Sequence, residues 1–394
     1  MAGLNETPKG DRVHIAFFGL RNAGKSTLVN KLTGQDVAIV SDVAGTTTDP
    51  VSKAMEILPL GPCLVTDTAG LDDEGPLGEM RVKKSLEVLA TTDIAVWVDD
   101  GSPGSAGGGA QFTAPAGARG AGVANGPAYA RFLAACRARD IAVLHYRRGD
   151  DVEAFRRELA AVRLADAPRP LVGDLVQAGD LVVCVCPIDE SAPKGRLILP
   201  QQQVMRELLD AGASALVCQP AQLADLLART PGVKFVITDS QAFKEVAAVV
   251  PPEIPLTSFS IVFARAKGDL AAYCVGAAAL DALKDGDRVL ISEGCTHHRQ
   301  CNDIGTVKLP KWISAKTGKK LAFEWTSGNS FPEDLSPYAL VVHCGGCMLT
   351  RRAVQARIAR CRAAGVPITN YGVCIAACHG ITAFPDTCMV VRGS

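Results

Sequence analysis

The sequence has no excess of charge of either sign: 41 lysines and arginines are matched by 41 aspartates and glutamates. A protein that grips nucleic acid through its phosphates needs a basic face, and neither this balance nor any long charge run supplies one, so no nucleic-acid partner is expected. The chain also lacks an apolar run of the roughly 18 to 20 residues that crosses a bilayer, and residues 1–12 contain no apolar signal region. No membrane partner is expected, and the sequence reads as cytoplasmic. No fixed-period repeat occurs.

What the chain does have is length and apolar mass. Its 394 residues are 48% apolar, enough for two or three packed domains. It also has 14 cysteines. A secreted disulfide scaffold is short and core-poor, so in a chain this long and aliphatic the cysteines read as free thiols or metal ligands in a reducing compartment. Only Cys63 and Cys136 precede position 180 and most of the others lie in the last third, which is where metal chemistry is expected.

Apolar runs and helical periods alternate from the start. Residues 12–18, 63–66, 94–98 and 141–144 predict strands, and 25–32 and 152–162 predict helices, the rhythm of a doubly wound sheet. Residues 101–127 hold nine glycines and seven alanines, too little apolar area to offset ordering, and predict a flexible surface loop. Around 166–170 the periodicity stops. Strands at 180–186, 215–218 and 234–238 follow with interleaved helices, and no catalytic signature appears among them. A third unit begins near Asp269, with strands at 288–292 and 340–343. The expected fold class is α/β with mainly parallel sheets, in three domains: 1–166, 167–268 and 269–394.

Gly19-Leu-Arg-Asn-Ala-Gly-Lys-Ser26 is a complete GxxxxGKS between a predicted strand and a predicted helix. Gly19 and Gly24 let the backbone amides, Ala23 among them, curl toward phosphates. The helix N-terminus with Thr27 adds positive potential, Lys25 reaches the β and γ phosphates, and Ser26 ligates Mg²⁺. Asp67-Thr-Ala-Gly70 follows the next predicted strand, so Asp67 is expected near Mg²⁺ and the Gly70 amide near a γ phosphate. Between them, Ala44-Gly-Thr-Thr-Thr-Asp49 offers a hydroxyl able to close over the metal.

With GxxNxGKS and GTTxD, this segment resembles the translation-factor-type GTPases, closest to the branch that serves tRNA modification and ribosome assembly. The resemblance implies a P-loop GTPase fold. It makes Thr47 the switch threonine on Mg²⁺ and Asn22 a ligand of a K⁺ ion that does the work of an arginine finger. Leu71, apolar after the DTAG string, implies slow intrinsic hydrolysis. The family reads guanine with NKxD, and Arg147-Arg-Gly-Asp150 stands at the corresponding place. Asp150 is retained to accept from the guanine edge, but the asparagine and lysine are absent. The residues leave GTP, ATP and a promiscuous site open, and the resemblance favours GTP.

Cys295-Thr-His297 and His343-Cys-Gly-Gly-Cys347 stand 45 residues apart, each just beyond a predicted strand. In a parallel sheet both strand ends emerge on one edge, where open α/β sheets place ligands. Cys295, Cys344 and Cys347 would then meet, with His297 and His343 nearby. Three thiolates and a histidine suit tetrahedral zinc, whereas three thiolates around a cubane suit a [4Fe-4S] cluster with one labile corner. Structural free thiols are the third reading. Cys374 and Cys378, a CxxxC near His379, read mainly as packing.

A potassium-type GTPase segment, a quiet middle α/β segment and a terminal CxHx(45)HCxxC unit resemble, over nearly the whole chain, the GTPase maturase family of [FeFe]-hydrogenases. The resemblance implies a [4Fe-4S] cluster on Cys295, Cys344 and Cys347, a fourth position open or weakly held by His297 or His343, and a middle domain that forms a homodimer. It further implies a scaffold and carrier that receives a di-iron subcluster precursor, made with two radical-SAM maturases, and delivers it to apo [FeFe]-hydrogenase, with GTP as a switch. No CxxxCxxC occurs, so the chain is not itself one of those radical enzymes. A GTPase of tRNA modification or ribosome assembly and a zinc-binding regulatory NTPase are the alternative expectations.

Overall fold

The computed structural model describes residues 7–33, 51–58, 60–72, 75–100, 126–162, 169–188, 197–294, 303–328, 330–384 and 387–392. The chain divides into two compact units, residues 1–167 and 168–394.

In the first unit the strand order is Val51–Ile57, Gly61–Asp67, Val13–Gly19, Ile94–Asp99, Ala142–Arg147. All neighbours are parallel except the outermost pair, Val51–Ile57 against Gly61–Asp67. The central strand Val13–Gly19 is apolar and buried on both faces, as a parallel strand covered by helices must be. Val51–Ile57 is half exposed and carries the polar residues Ser52, Lys53 and Glu56, which an antiparallel edge tolerates. One core, with Phe17, Leu28, Val96 and Phe155, lies beneath helices Lys25–Thr33 and Val152–Ala160. The other, with Phe18, Trp97, Tyr129 and Phe132, lies beneath Gly75–Glu87 and Pro127–Arg137. His14 and His145 are strand residues, and Tyr129 Oη lies 3.1 Å from His145 Nε2. Of the stretch 101–127, expected as a flexible loop, residues 101–125 lie outside the described residues, and Pro127 already opens helix Pro127–Arg137.

The second unit contains two sheets. A four-stranded parallel sheet runs Ala322–Thr326, Arg288–Ser292, Leu340–His343, Ile368–Asn370. A six-stranded sheet runs Ile381–Ala383, Val390–Arg392, Leu256–Ser258, Val233–Thr238, Leu181–Val185, Ser214–Cys218. The expected division at 268/269 separates these sheets along most of their length. The hairpin Ile381–Arg392 does not respect it: it crosses over to pair antiparallel with Leu256–Ser258, and Thr257 Oγ1 donates to the Cys388 carbonyl at 2.5 Å. A single core joins residues of both sheets, from Val182 and Phe235 to Val341 and Val390.

Helix Phe259–Lys267 sits in this shared core. Ser258 caps it, its Oγ accepting from Ile261 N at 3.2 Å, and every helical residue but Ser260 is buried. It packs on helices Tyr371–Cys378, Arg351–Ala363, Leu199–Asp210 and Leu270–Ala278. A helix apolar on all sides belongs in such a place, yet this one also buries Arg265 and Lys267. Cys374 and Cys378 lie one turn apart on Tyr371–Cys378, with Cys374 in the core.

Candidate functional site

Two groups of residues carry chemistry. In the first unit, strand Val13–Gly19 delivers Gly19 to the C-terminal edge of the sheet. A Cβ on Gly19 would lie 2.5 Å from the Val98 carbonyl oxygen, so only glycine lets the loop leave this close to the neighbouring strand. Asn22 and Gly24 then take left-handed backbone, with φ of 59° and 98°, and turn the chain into helix Lys25–Thr33. Ala23 is buried, whereas Asn22 and Thr27 are exposed. The Lys25 ammonium, also buried, donates to the carbonyls of Leu20 at 2.7 Å and Gly19 at 3.4 Å.

Ser26 Oγ donates to Asp67 Oδ2 at 2.5 Å. Asp67 is 3% exposed, and its Oδ1 is buried with no hydrogen-bond partner among the described residues. Burial raises its carboxyl above the ordinary value, against the lowering effect of the Ser26 hydroxyl and the Lys25 charge. A hydroxyl paired with a carboxylate that keeps one oxygen unpartnered is a hard-oxygen donor set that fits Mg²⁺. Past Asp67, Arg21 N donates to Asp72 Oδ1 at 2.6 Å and Leu71 N to the Gly19 carbonyl at 3.2 Å. Gly70 lies between them, where a Cβ would come within 2.9 Å of both Arg21 N and Asp72 Oδ1. The loop after the DTAG string is thus stitched to the P-loop. Thr47 lies outside the described residues.

At the end of Ala142–Arg147, the exposed Asp150 turns back on its own loop, where Oδ2 accepts from Arg147 N at 3.0 Å. The Arg148 stem runs along the P-loop, its Cδ 3.7 Å from where a Gly24 Cβ would be. The loop that stands where NKxD is expected therefore places an arginine, not a lysine, beside the phosphate-loop glycine.

In the second unit, Arg288–Ser292 and Leu340–His343 are neighbours in parallel, with Ser292 opposite His343. Both strands leave the sheet on one edge. Gly294, the residue before Cys295, donates its amide to Cys344 Sγ at 3.0 Å, and the Gly346 amide donates to the same sulfur at 3.4 Å. Burial raises the Cys344 thiol, and those two amides oppose it. Amide donors aimed at a sulfur favour its thiolate form, which fits a thiolate-bound iron. Cys347 is half-buried, and its carbonyl accepts from Lys267 Nζ at 3.2 Å. Cys295 and His297 lie outside the described residues. Among the described residues, no three histidines, cysteines or carboxylates converge as a metal site.

His343 differs from expectation. It is fully buried; its Nδ1 lies 2.7 Å from the Cys344 carbonyl and its Nε2 lies 3.0 Å from Arg357 Nη1. A carbonyl only accepts and a guanidinium only donates, so the ring is neutral with its proton on Nδ1. Burial and the Arg357 charge push its pKa down to about 3. Both ring nitrogens are used, so in this arrangement His343 supports the loop and does not offer a ligand to a metal.

Two family models match this second unit. Residues 171–268 match the Hydrogen maturase F dimerization domain, and residues 270–384 match the Hydrogen maturase F tetramerization domain. The chain belongs to the hydrogen maturase F family. In this maturase F chain, residues 14–113 match the model of the 50S ribosome-binding GTPase, so the first unit is a GTPase domain. Matches to both oligomerisation domains mean that the chain assembles with itself, and the tetramerization match goes beyond the dimer expected from sequence.

Curated relatives match the GTPase segment. The tRNA modification GTPase MnmE of Endomicrobium trichonymphae is 37% identical over 92 residues, 23% of this chain and 20% of that protein. GTPase Der of Xylella fastidiosa is 43% identical over 98 residues, 24% of this chain and 21% of that protein. The maturase F chain therefore spans about a fifth of the length of these relatives. A crystal structure of an Aquifex aeolicus Era variant bound to GDP and AlF4⁻ aligns over 80% of this chain and 92% of its own, with 15% identity and a TM-score of 0.26.

Several residues at the two sites carry no motif. Asp72 ties the DTAG loop to the P-loop, and Lys267, Arg357 and Asn370 hold carbonyls or side chains around the Cys344 loop. The one sequence signal available for the last group is charge where none belongs: Arg265 interrupts the largely apolar run 259–266 and Lys267 ends it.

Proposed function

We propose that this maturase F chain is a GTP-switched [4Fe-4S] scaffold and carrier that takes up a di-iron subcluster precursor and passes it to apo [FeFe]-hydrogenase. The precursor, made with two radical-SAM maturases, is its cargo. The observation that carries the reading is the pair of backbone amides, Gly294 and Gly346, aimed at Cys344 Sγ on the edge where the strands leading to Cys295 and Cys344 both leave the sheet. Cys295, Cys344 and Cys347 would hold the cluster. When bound, it supplies an iron corner free of protein thiolate. We divide the chain into a GTP-binding domain at 1–166, a homodimerising domain at 167–268 and a cluster-binding domain at 269–394, and read it as a cytoplasmic protein.

At the nucleotide site, Ser26 and Asp67 would hold Mg²⁺ with Thr47, and the exposed Asn22 would serve K⁺. Lys25 exchanges P-loop carbonyls for phosphate oxygens. The amides of Ala23, Gly24 and Thr27 bind phosphate at the helix N-terminus, Gly70 N–H senses the γ phosphate, and Asp150 with the Arg148 stem faces the base. Releasing the γ phosphate frees the Gly70 loop, whose hold on the P-loop includes the contacts of Leu71 to Gly19 and Arg21 to Asp72. The switch is read by partners and is not needed to assemble the cluster.

The test is anaerobic iron and sulfide analysis combined with activation of apo-hydrogenase. The parent chain is expected to carry about four irons and four sulfides per chain, and Lys25→Ala to keep them while losing activation. Iron-free protein that still activates the hydrogenase would overturn the carrier reading, and full activation by Lys25→Ala would overturn the switch.

A further inference from the structure

The CxxC loop rests on one buried helix and two buried cations. Helix Phe259–Lys267 lies within the segment matched to the dimerization domain, while the loop lies within the segment matched to the tetramerization domain. The helix reaches the loop at both ends. At its N-terminal end, Ser260 Oγ donates to Asn370 Oδ1 at 3.1 Å, and Asn370 Nδ2 donates to the Cys344 carbonyl at 3.3 Å. A Cβ on Gly345 would lie 3.5 Å from Ser260 Oγ and 4.0 Å from Phe263 Cβ, so the loop backbone lies directly on the helix face. At its C-terminal end, Lys267 Nζ donates to the carbonyls of Cys347 at 3.2 Å and Leu349 at 3.0 Å, with the Phe263 ring 5.6 Å away.

The second cation reaches the loop through His343. Arg357 Nη1 donates to His343 Nε2 at 3.0 Å and Ser292 Oγ at 3.2 Å, and Nη2 to the Gly328 carbonyl at 2.6 Å. His343 in turn donates to the Cys344 carbonyl at 2.7 Å. Gln355, half a turn before Arg357 on the same helix, donates to the carbonyls of Lys267 and Gly268 at 3.2 and 2.8 Å. Lys267 is 8% exposed and Arg357 5%. Positive charges that have been taken out of water act strongly on charge near them.

We propose that helix Phe259–Lys267 is the bed of the thiolate loop, and that Lys267 and Arg357 are positioning residues whose buried charges raise the reduction potential of the metal group held by Cys344 and Cys347. The effect on potential rests on the iron-sulfur reading above. The effect on the loop does not. A cation near a thiolate-bound cluster favours its more negative, reduced state, and losing one such charge shifts the equilibrium between oxidised and reduced forms. The same lysine makes the dimerization segment a structural partner of the loop.

The experiment uses the full chain as Lys267→Met and Lys267→Arg, reconstituted anaerobically with ferrous iron and sulfide, and reads two quantities. One is the midpoint potential of the reconstituted chromophore. The other is amide hydrogen exchange across Gly346 to Leu349 in the metal-free chain. Lys267→Met is expected to bind iron, to lose about tenfold in preference for the reduced form, equal to about 59 mV for one electron, and to exchange those amides at least tenfold faster. Lys267→Arg is expected to restore both. An unchanged potential in the iron-loaded Lys267→Met chain overturns the effect on the metal group, and unchanged exchange in the metal-free Lys267→Met chain overturns the effect on the loop. If the parent chain takes up no iron and sulfide, the iron-sulfur reading fails on its own, and exchange in the metal-free variants still decides whether Lys267 holds the loop. Should Lys267→Met fail to fold, Lys267→Gln, which keeps a donor without the charge, is judged by the same two quantities.

Discussion

Asp67→Asn should move stability and catalysis in opposite directions. The parent carboxylate is 3% exposed, holds the Ser26 hydroxyl at 2.5 Å through one oxygen, and buries the other without a partner among the described residues. Burial places its folded titration above the ordinary value of 3.8. Folding therefore prefers the protonated carboxyl: the stability it contributes is complete below the unfolded value and is lost as pH rises through the folded one. At pH 7, without nucleotide or metal, the ionised carboxylate is a burden on the first unit. An amide of the same shape removes the charge, which should stabilise that unit by about 1 kcal/mol, roughly 2–4 °C in its melting temperature. With GTP and Mg²⁺ the balance reverses, because the carboxylate then faces a divalent cation. Losing it should slow hydrolysis at least about 100-fold, near 2.7 kcal/mol of barrier. The assay is thermal unfolding of the nucleotide-free full chain at several pH values, the transition of the first unit being the one that GTP and Mg²⁺ raise, together with steady-state hydrolysis. Parent and variant should converge in acid and diverge toward neutrality. A variant that melts below the parent at pH 7, or hydrolyses GTP at the parent rate, would refute the reasoning.

Gly70→Ala should fold but hydrolyse GTP at least about tenfold more slowly, since its Cβ would come within 2.9 Å of the hydrogen-bonded pair Arg21 N and Asp72 Oδ1; a parent-like turnover number would show that this contact has no part in the switch. Replacing K⁺ by Na⁺ should slow hydrolysis about tenfold or more in the parent and leave Asn22→Ala unaffected, measured as initial rates at constant ionic strength. Cys344→Ala should fail to assemble a brown chromophore on anaerobic reconstitution, because it removes the sulfur that the Gly294 and Gly346 amides address; colourless parent protein that binds zinc in its place would support a zinc site. Installing asparagine and lysine as Arg147→Asn with Arg148→Lys should raise the preference for GTP over ATP, read as competition for bound nucleotide, and unchanged competition by ATP would refute the assignment of this loop to the base.

The parts legible in the sequence were those where one local rule decides. GxxxxGKS between a buried strand and a helix predicts the turn at Gly19 to Ser26, and the apolar runs at 288–292 and 340–343 predict two strands whose parallel pairing brings Ser292 beside His343. Partly exposed or fully buried elements were illegible for opposite reasons. Strand Val51–Ile57 alternates too weakly because Ser52 and Lys53 are adjacent polar residues, and helices Phe259–Lys267 and Tyr371–Cys378 show no period because all sides are apolar. The Cys344 loop was visible as a CxxC string, but its supports were not. Lys267, Arg357 and Asn370 come from three separate elements, and nothing in their local sequence announces that they converge. His343 misled for the same reason: beside a cysteine it reads as a ligand, and only the buried guanidinium opposite it fixes a different role.

The crossing of Ile381–Arg392 onto Leu256–Ser258 has a consequence for biogenesis. During synthesis, the sheet begun by residues 181–258 keeps one flank unsealed until roughly 130 further residues have left the ribosome, and an unsealed flank is an invitation to pair with a foreign strand. The segment that forms the thiolate edge is made during that interval. Closure of the middle sheet thus comes after the whole loop region has been synthesised, so a nascent chain sealed by its own hairpin is one that already contains every candidate ligand.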